Sequence, residues 1–246
     1  MTNADNGAVE ARIRDLLLSA LTVSSGAVDA ISFLALGKVF SAFMTGNIAF
    51  LGFRVAGAGG PGAVAVLASM AGFAVGVYVS TRIVQRSERS EVWPRHVTIA
   101  LALSLLVHAV FVAVWFASDG QPSTETSHVL LGLWALAMGM QSSAVRTLHV
   151  DGVYTTAATA TIIFLVADLT NWSATASERR RLAGVVISLF VGATAGSLLL
   201  VRAHNYAPLL PMVMTGAAVA TAAIVFWNRD AAEERKHRPG IQANPA

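Results

Sequence analysis

The sequence predicts an all-α, polytopic helical membrane protein of two inverted three-crossing repeats. That makes six net crossings, with two short segments that are broken or re-entrant. Three observations predict it. Of 246 residues, 55% are hydrophobic and only 13% charged, with a mean hydropathy of +0.62; a soluble domain carries roughly a quarter charged residues. So few charges cannot cover a water-soluble particle of 25.7 kDa. The apolar residues also fall into stretches matched to a bilayer, and the chain repeats itself.

Eight apolar stretches run at about 16–36, 39–53, 62–81, 97–117, 129–148, 153–167, 182–201 and 206–227. A helix needs ~20 apolar residues to cross a ~30 Å hydrocarbon core. Six stretches meet that length; 39–53 and 153–167 fall short, and each follows a long stretch after a brief connection. The stretch 16–36 is interrupted by Asp29 and lacks a clean cleavage pattern, so it is a retained helix, not a signal peptide. The polar ends, 1–11 and the basic 228–246, are expected to be disordered cytoplasmic tails. Between them lies a single helical membrane domain over 12–227, with repeat one at about 12–117 and repeat two at about 128–227.

The duplication is carried by two blocks in the same order. VFSAFMTGNIAFL (39–51) aligns with VYTTAATATIIFL (153–165) at an offset of 114, with Val, Thr, Ile, Phe and Leu identical. Further on, Gly72, Gly76 and Arg82 match Gly192, Gly196 and Arg202 in a Gly-x-x-x-Gly motif followed six residues later by Arg. Single matches come easily in Ala/Val/Leu-rich sequence; ordered pairs of blocks do not.

Basic residues set the topology. Arg12 and Arg14 precede the first helix, Arg82, Arg86, Arg89 and Arg95 fill 82–96, Arg179–Arg181 close 168–181, and Arg229, Arg235, Lys236 and Arg238 mark the C-terminus. The 118–128 loop has none. Only if each long–short pair makes one net crossing do all four clusters fall on the cytoplasmic side, as the positive-inside rule asks. Three crossings per half is odd, so the halves are inverted. The short stretches then line a cavity or are buried in protein, where irregular backbone is tolerated.

Other classes of function are excluded or unsupported. There is no cysteine, so thiolate chemistry and Cys-based metal sites are ruled out. No Gly-x-Ser-x-Gly elbow, His-Glu-x-x-His, phosphate-binding Gly loop or paired Asp cluster is found, so no catalytic residue, cofactor or metal is expected. The net charge of +3 reflects membrane-flanking arginines and asks for no nucleic-acid partner.

The run SGAVDAISFLALGKVFSAFMTGNIAFLG, with Gly26, Asp29 and Ala30 and then Phe40, Thr45, Gly46 and Asn47, resembles the signature of the YoaK-like family of bacterial integral membrane proteins. ALAMGMQSSAVRTLHVDGVYTTAATAT looks like that family's second signature, including Gly139, Gln141, Arg146 and Thr155. The likeness covers roughly residues 15–225 and implies a bacterial inner-membrane protein. It implies no substrate, because the shared transmembrane domain has no assigned function. Ala160 departs from the Thr-Gly-Thr that such proteins often carry.

The candidate substrate-binding residues are Asp29, Thr45, Gly46, Asn47, Gln141, Arg146 and Thr159. A carboxylate at mid-helix costs ~2.5–3.5 kcal/mol to insert, so Asp29 faces protein or water, as a ligand for an ion, proton or cationic solute or as a structural partner of Arg146. Thr45-Gly46-Asn47 offers a helix break whose half-helix end can bind a solute, or a tight buried turn. Thr155, Thr156, Thr159 and Thr161 with Gln141, Ser142 and Ser143 form a hydroxyl surface that suits helix packing. The Gly-x-x-x-Gly faces are helix contacts, within the chain or across a homodimer. His108 lies inside a helix and reads as a packing residue more readily than a proton relay.

The function these features support is a small secondary transporter or permease for a small solute or ion, embedded in the lipid bilayer. The alternative is a non-transporting membrane subunit or scaffold that binds partner proteins or anionic lipid. The topology has a direct test. A reporter that fluoresces only in the cytoplasm should light up when fused after residue 246 and stay dark at residue 120; signal at both sites would sink the six-crossing arrangement.

Overall fold

In hydrocarbon every N–H and C=O must be bonded within its own segment, so long apolar runs fold as helices. The computed structural model describes residues 3–85, 92–148, 150, 158–170 and 176–227. Its helices are α1 (Asn3–Ala35), α2 (Met44–Val55), α3 (Ala63–Val84), α4 (Arg95–Ala117), α5 (Thr124–Arg146), α6 (Ala158–Thr170), α7 (Ala176–Arg202) and α8 (Leu209–Ala222). A 3₁₀ turn, His204–Tyr206, leads into α8, and a π-helical turn, Ala223–Trp227, extends it. Among the described residues, six helical segments are long and apolar enough to cross a membrane: Gly7–Ala35, Ala63–Val84, Arg95–Ala117, Thr124–Arg146, Arg179–Arg202 and His204–Phe226.

α1 begins at Asn3, within the segment 1–11 that the sequence assigns to an N-terminal tail. Ala8, Glu10, Ala11 and Arg12 are good helix formers, and extending an existing helix avoids the cost of nucleating a new one. The C-terminal tail, 228–246, lies outside the described residues.

Two buried clusters show how the helices run. One joins Leu17 of α1, Val84 of α3, Val97 of α4, Val145 of α5, Leu182 of α7 and Phe226. The other joins Ile31 of α1, Val66 of α3, Phe111 of α4, Leu130 of α5, Leu200 of α7 and Ala207. Successive long helices therefore alternate in direction. The start of α1 and the end of the α8 extension meet at one end of the bundle. That end also carries Arg14, Arg82, Arg95, Arg146 and Arg179–Arg181, by their positions on the helices. The opposite end is poorer in cations, with Lys38 in the turn after α1, Arg54 in the last turn of α2 and Arg202 in the last turn of α7.

Neither short helix carries the chain across. α1 ends and α3 begins in the second cluster, while α5 ends and α7 begins in the first. α2 has 12 residues and α6 has 13, so each is about 18–20 Å long, well short of the ~30 Å core. The first part of the stretch at 153–167 lies outside the described residues, and α6 begins within it.

Packing is reciprocal between the halves. α3 lies along α5, and α1 lies along α7. α4 packs on α5 as α8 packs on α1, and α4 and α8 touch each other. α2 leans on α3 as α6 leans on α7. Small residues permit the two longest contacts. A Cβ at Gly72 or Gly76 would overlap the backbone of Gly132 or Leu136 in α5, and one at Gly192 or Gly196 that of Val23 or Ala27 in α1. The glycine faces that the sequence offered to a homodimer are thus covered within the chain. Hydroxyls add to the packing: Thr81 Oγ1 lies 2.8 Å from Ser143 Oγ in the α3–α5 seam, and Ser24 Oγ lies 3.0 Å from Thr215 Oγ1 between α1 and α8.

His108 is buried in α4 with its ring edge-on to Trp134, 6.5 Å between centroids. It belongs to an aromatic stack in which Phe111 lies flat on Trp134 at 3.5 Å. The Asp119-Gly120 turn that follows has φ of 50° and 70°, the left-handed region that suits Gly, and its Gly120 carbonyl lies 2.7 Å from His204 Nε2.

Gly76→Val is expected to lower unfolding stability in detergent by about 1–3 kcal/mol or more, because Cβ and methyls would overfill the α3–α5 seam. Gly184→Ala, with open space around it, serves as the control. Equal melting of both variants would refute the seam.

Candidate substrate site

α1 stops at a left-handed pair, Gly37 (φ 106°) and Lys38 (φ 63°), which turns the chain back on itself. Ser32 and Ser41 then meet across the turn, Oγ to Oγ 2.7 Å. The return brings the backbone N–H groups of Ser41 and Ala42 to Asp29, whose Oδ1 accepts both, at 2.9 and 2.7 Å. A carboxylate inside a membrane helix and an irregular stretch of backbone beside it thus satisfy each other.

Asp29 faces a cavity of about 460 Å³, within the range of small-molecule sites. Gly26 and Ala30 flank it on α1, Phe40 and Ala42 through Thr45 supply one wall, Phe73 comes from α3, Thr159 from α6, and Leu189 and Ala193 from α7. On α1 the cavity falls between Leu21 of the first buried cluster and Ile31 of the second. Asp29 lies fifteen residues beyond Arg14, about 22 Å along the helix at 1.5 Å per residue. Thr45 is the second residue of α2 and Thr159 the second residue of α6. The first turns of the two short helices therefore share one cavity.

The Thr45-Gly46-Asn47 motif divides its work. It is the first turn of α2, not a break within a helix. Thr45 is exposed to the cavity. Gly46 makes room for aromatic rings, since a Cβ there would sit 2.7 Å from the ring of Phe43 and 3.1 Å from that of Phe40. Asn47 is fully buried and grips the backbone of Phe40: its Nδ2 donates to the carbonyl at 2.7 Å and its Oδ1 accepts from the N–H at 3.1 Å. Ser69 of α3 donates to the same carbonyl at 2.6 Å. Asn47 and Gly46 therefore shape the wall, and Thr45 faces the space.

The second-half candidates separate. Thr159 lines the cavity. Gln141 is buried, but its Nε2 donates to the Leu21 carbonyl at 3.0 Å and so bonds α5 to α1 outside the cavity. Arg146 is exposed in the last turn of α5. The expected Asp29–Arg146 pair is not formed; backbone donors hold the carboxylate instead. Repeat offset predicts which residues correspond along the chain, but not which way a side chain points. Thr155 and Thr156 lie outside the described residues. Ser143 serves packing through its bond to Thr81.

Phe43, Met44, Phe73, Leu189 and Ala193 were not anticipated. Gly26 and Ala30 carried a usable signal, because Gly26 lies three residues before Asp29 and four before Ala30 and so shares a helix face with each. A methyl at Gly26 would overlap the carbonyl of Leu189, so this small face lets α7 approach beside the carboxylate.

Fold and site together define the class: a polytopic helical membrane protein with six candidate spans and a carboxylate-bearing cavity where two short helices begin. The chain belongs to the family described as "Protein of unknown function (DUF1275)", which matches residues 17–221. It is also similar to the "UPF0700 transmembrane protein YoaK" of Bacillus subtilis (strain 168), at 35% identity over 161 residues, covering 65% of this chain and 69% of that protein. No solved structure matches it.

Asn47→Ala removes the acceptor of the Phe40 N–H and one of the two side-chain donors to its carbonyl, and should cost about 1–3 kcal/mol of stability. Arg146→Gln, on the exposed end of α5, should stay within about 0.5 kcal/mol of the parent. Denaturation of the purified protein in detergent checks both, and a loss at Arg146 equal to that at Asn47 would reinstate the buried ion pair.

Proposed function

We propose that this protein is a small secondary transporter or permease, that its halves are inverted repeats, and that its solute occupies the Asp29 cavity. The observation that carries this reading is the meeting of two short helices at one cavity, each leaving and rejoining its own end of the bundle. Paired half-helices at mid-depth between internal repeats are the usual setting of transporter sites. The reciprocal packing supports the duplication: exchanging α1 with α5, α2 with α6, α3 with α7 and α4 with α8 leaves the main helix contacts unchanged. α1 and α5 run in opposite directions, as inversion requires. The arginine-bearing end is then cytoplasmic, in a bacterial inner membrane, with both termini on that side.

A scaffold would keep this cavity closed to one or both sides; a permease must open it to each in turn. The natural chain has no cysteine, so Thr45→Cys and Thr159→Cys introduce single reporters without further changes. In oriented vesicles a membrane-impermeant maleimide should modify each position from either face. Labelling of both positions from one face only, or from neither, would set the permease aside in favour of the scaffold.

A further inference from the structure

We infer that the Asp29 cavity selects an organic monocation, an ammonium group carried on an apolar body; this deepens the permease reading and rests on it. Asp29 supplies the acidic group of the lining; its carboxylate accepts the backbone N–H groups of Ser41 and Ala42 at Oδ1, with the Phe43 N–H as a third backbone donor. Among the described residues no Lys, Arg or His lines the cavity to neutralise it. The other polar side chains among the described lining residues are the hydroxyls of Thr45 and Thr159. A bare metal ion asks for about six oxygen ligands in a tight shell, whereas a largely apolar space of about 460 Å³ offers one carboxylate and two hydroxyls from side chains. An organic molecule fits that volume and that lining.

The rings decide the chemistry of the charged group. Phe40, Phe43 and Phe73 line the same cavity as Asp29, and the Phe40 and Phe43 rings meet edge to face at 5.3 Å. The Phe40 ring is stacked on Phe33 and Phe50, at 4.9 and 5.9 Å between centroids. Phe43 and Phe73 are therefore the lining rings left to meet a solute. An aromatic face beside a carboxylate attracts ammonium groups and repels anions. The N-terminal end of α2 has the opposite preference, but it amounts to roughly half a positive charge, and the chain just before that end already donates to Asp29. The formal charge therefore outweighs it. The Gly26 and Ala30 side of α1, with Leu189 and Ala193 of α7, leaves an apolar surface for the body of the solute.

A matched series isolates charge from shape. Choline, 3,3-dimethylbutan-1-ol and 3,3-dimethylbutanoate share a branched head and differ in charge; benzyltrimethylammonium adds an aromatic body. In calorimetric titrations of the protein in lipid nanodiscs, the two cations should bind at least about 10-fold more tightly than the alcohol or the acid. Phe43→Leu, on a ring exposed to the cavity, should weaken benzyltrimethylammonium by about 3–30-fold. Asp29→Asn keeps an acceptor for the Ser41 and Ala42 N–H groups and should abolish the preference for charge. Binding of neither cation to the unaltered protein, or equal or tighter binding of 3,3-dimethylbutanoate, overturns the inference whatever the variants do. Uptake of the bound cation into proteoliposomes separates the two levels of the reading: binding without uptake leaves the cation site standing and removes the permease. Uptake of the acid alone keeps the permease and removes the cation site.

Discussion

An unpaired peptide group in hydrocarbon costs several kcal/mol, and this constraint organises the whole molecule. Six helical segments meet it by internal bonding. The connection between α1 and α2 meets it by borrowing a charge, because Asp29 accepts the N–H groups of Ser41 and Ala42. A carboxylate and an open turn are each unfavourable inside a membrane protein; together each supplies what the other lacks. Asn47 and Ser69 complete the arrangement by bonding the Phe40 backbone. The cavity exists because the chain turns back here and does not cross.

The rest of the bundle is built to leave that region open. Side chains fill both ends, with Trp93 and Phe226 stacked at one and Phe111, Trp115 and Trp134 at the other. Between them, glycines bring α3 against α5 and α7 against α1 so closely that backbone meets backbone. Such seams give tight packing without the hydrophobic effect, which does not drive association between helices already in lipid. The first turn of α6 faces the same cavity as Asp29, so the half of the chain lacking the carboxylate still contributes a hydroxyl, from Thr159.

The residues around the cavity were legible in the sequence unequally. Asp29, Thr45 and Thr159 were legible because a charge or a hydroxyl in an apolar run is conspicuous and has few neutral explanations. Asn47 and Gly46 were legible as important, but their roles were not: one grips the Phe40 backbone and the other makes room for aromatic rings. Gln141 was a candidate as part of the second family signature, and Arg146 as a possible partner of Asp29. The structure turns one into an α5–α1 bond and leaves the other at the exposed end of its helix. Phe43 and Phe73 gave no signal, since an aromatic residue in a membrane helix is ordinary until its neighbours are known.

By itself the sequence determined that this chain is a helical membrane protein, that it has six long spans, that two further segments are too short to cross, and that arginines gather at alternate span ends. These properties depend on local composition, on segment length against a fixed bilayer thickness, and on the solvation cost of charge. Tertiary structure alone decided that the two short helices begin at one cavity, that the glycine faces are consumed within the chain, and that Asp29 is held by backbone and not by Arg146. Those outcomes turn on where a side chain points around its helix and on which distant segment lies there, a matter of a few ångströms that apolar runs of similar composition do not encode.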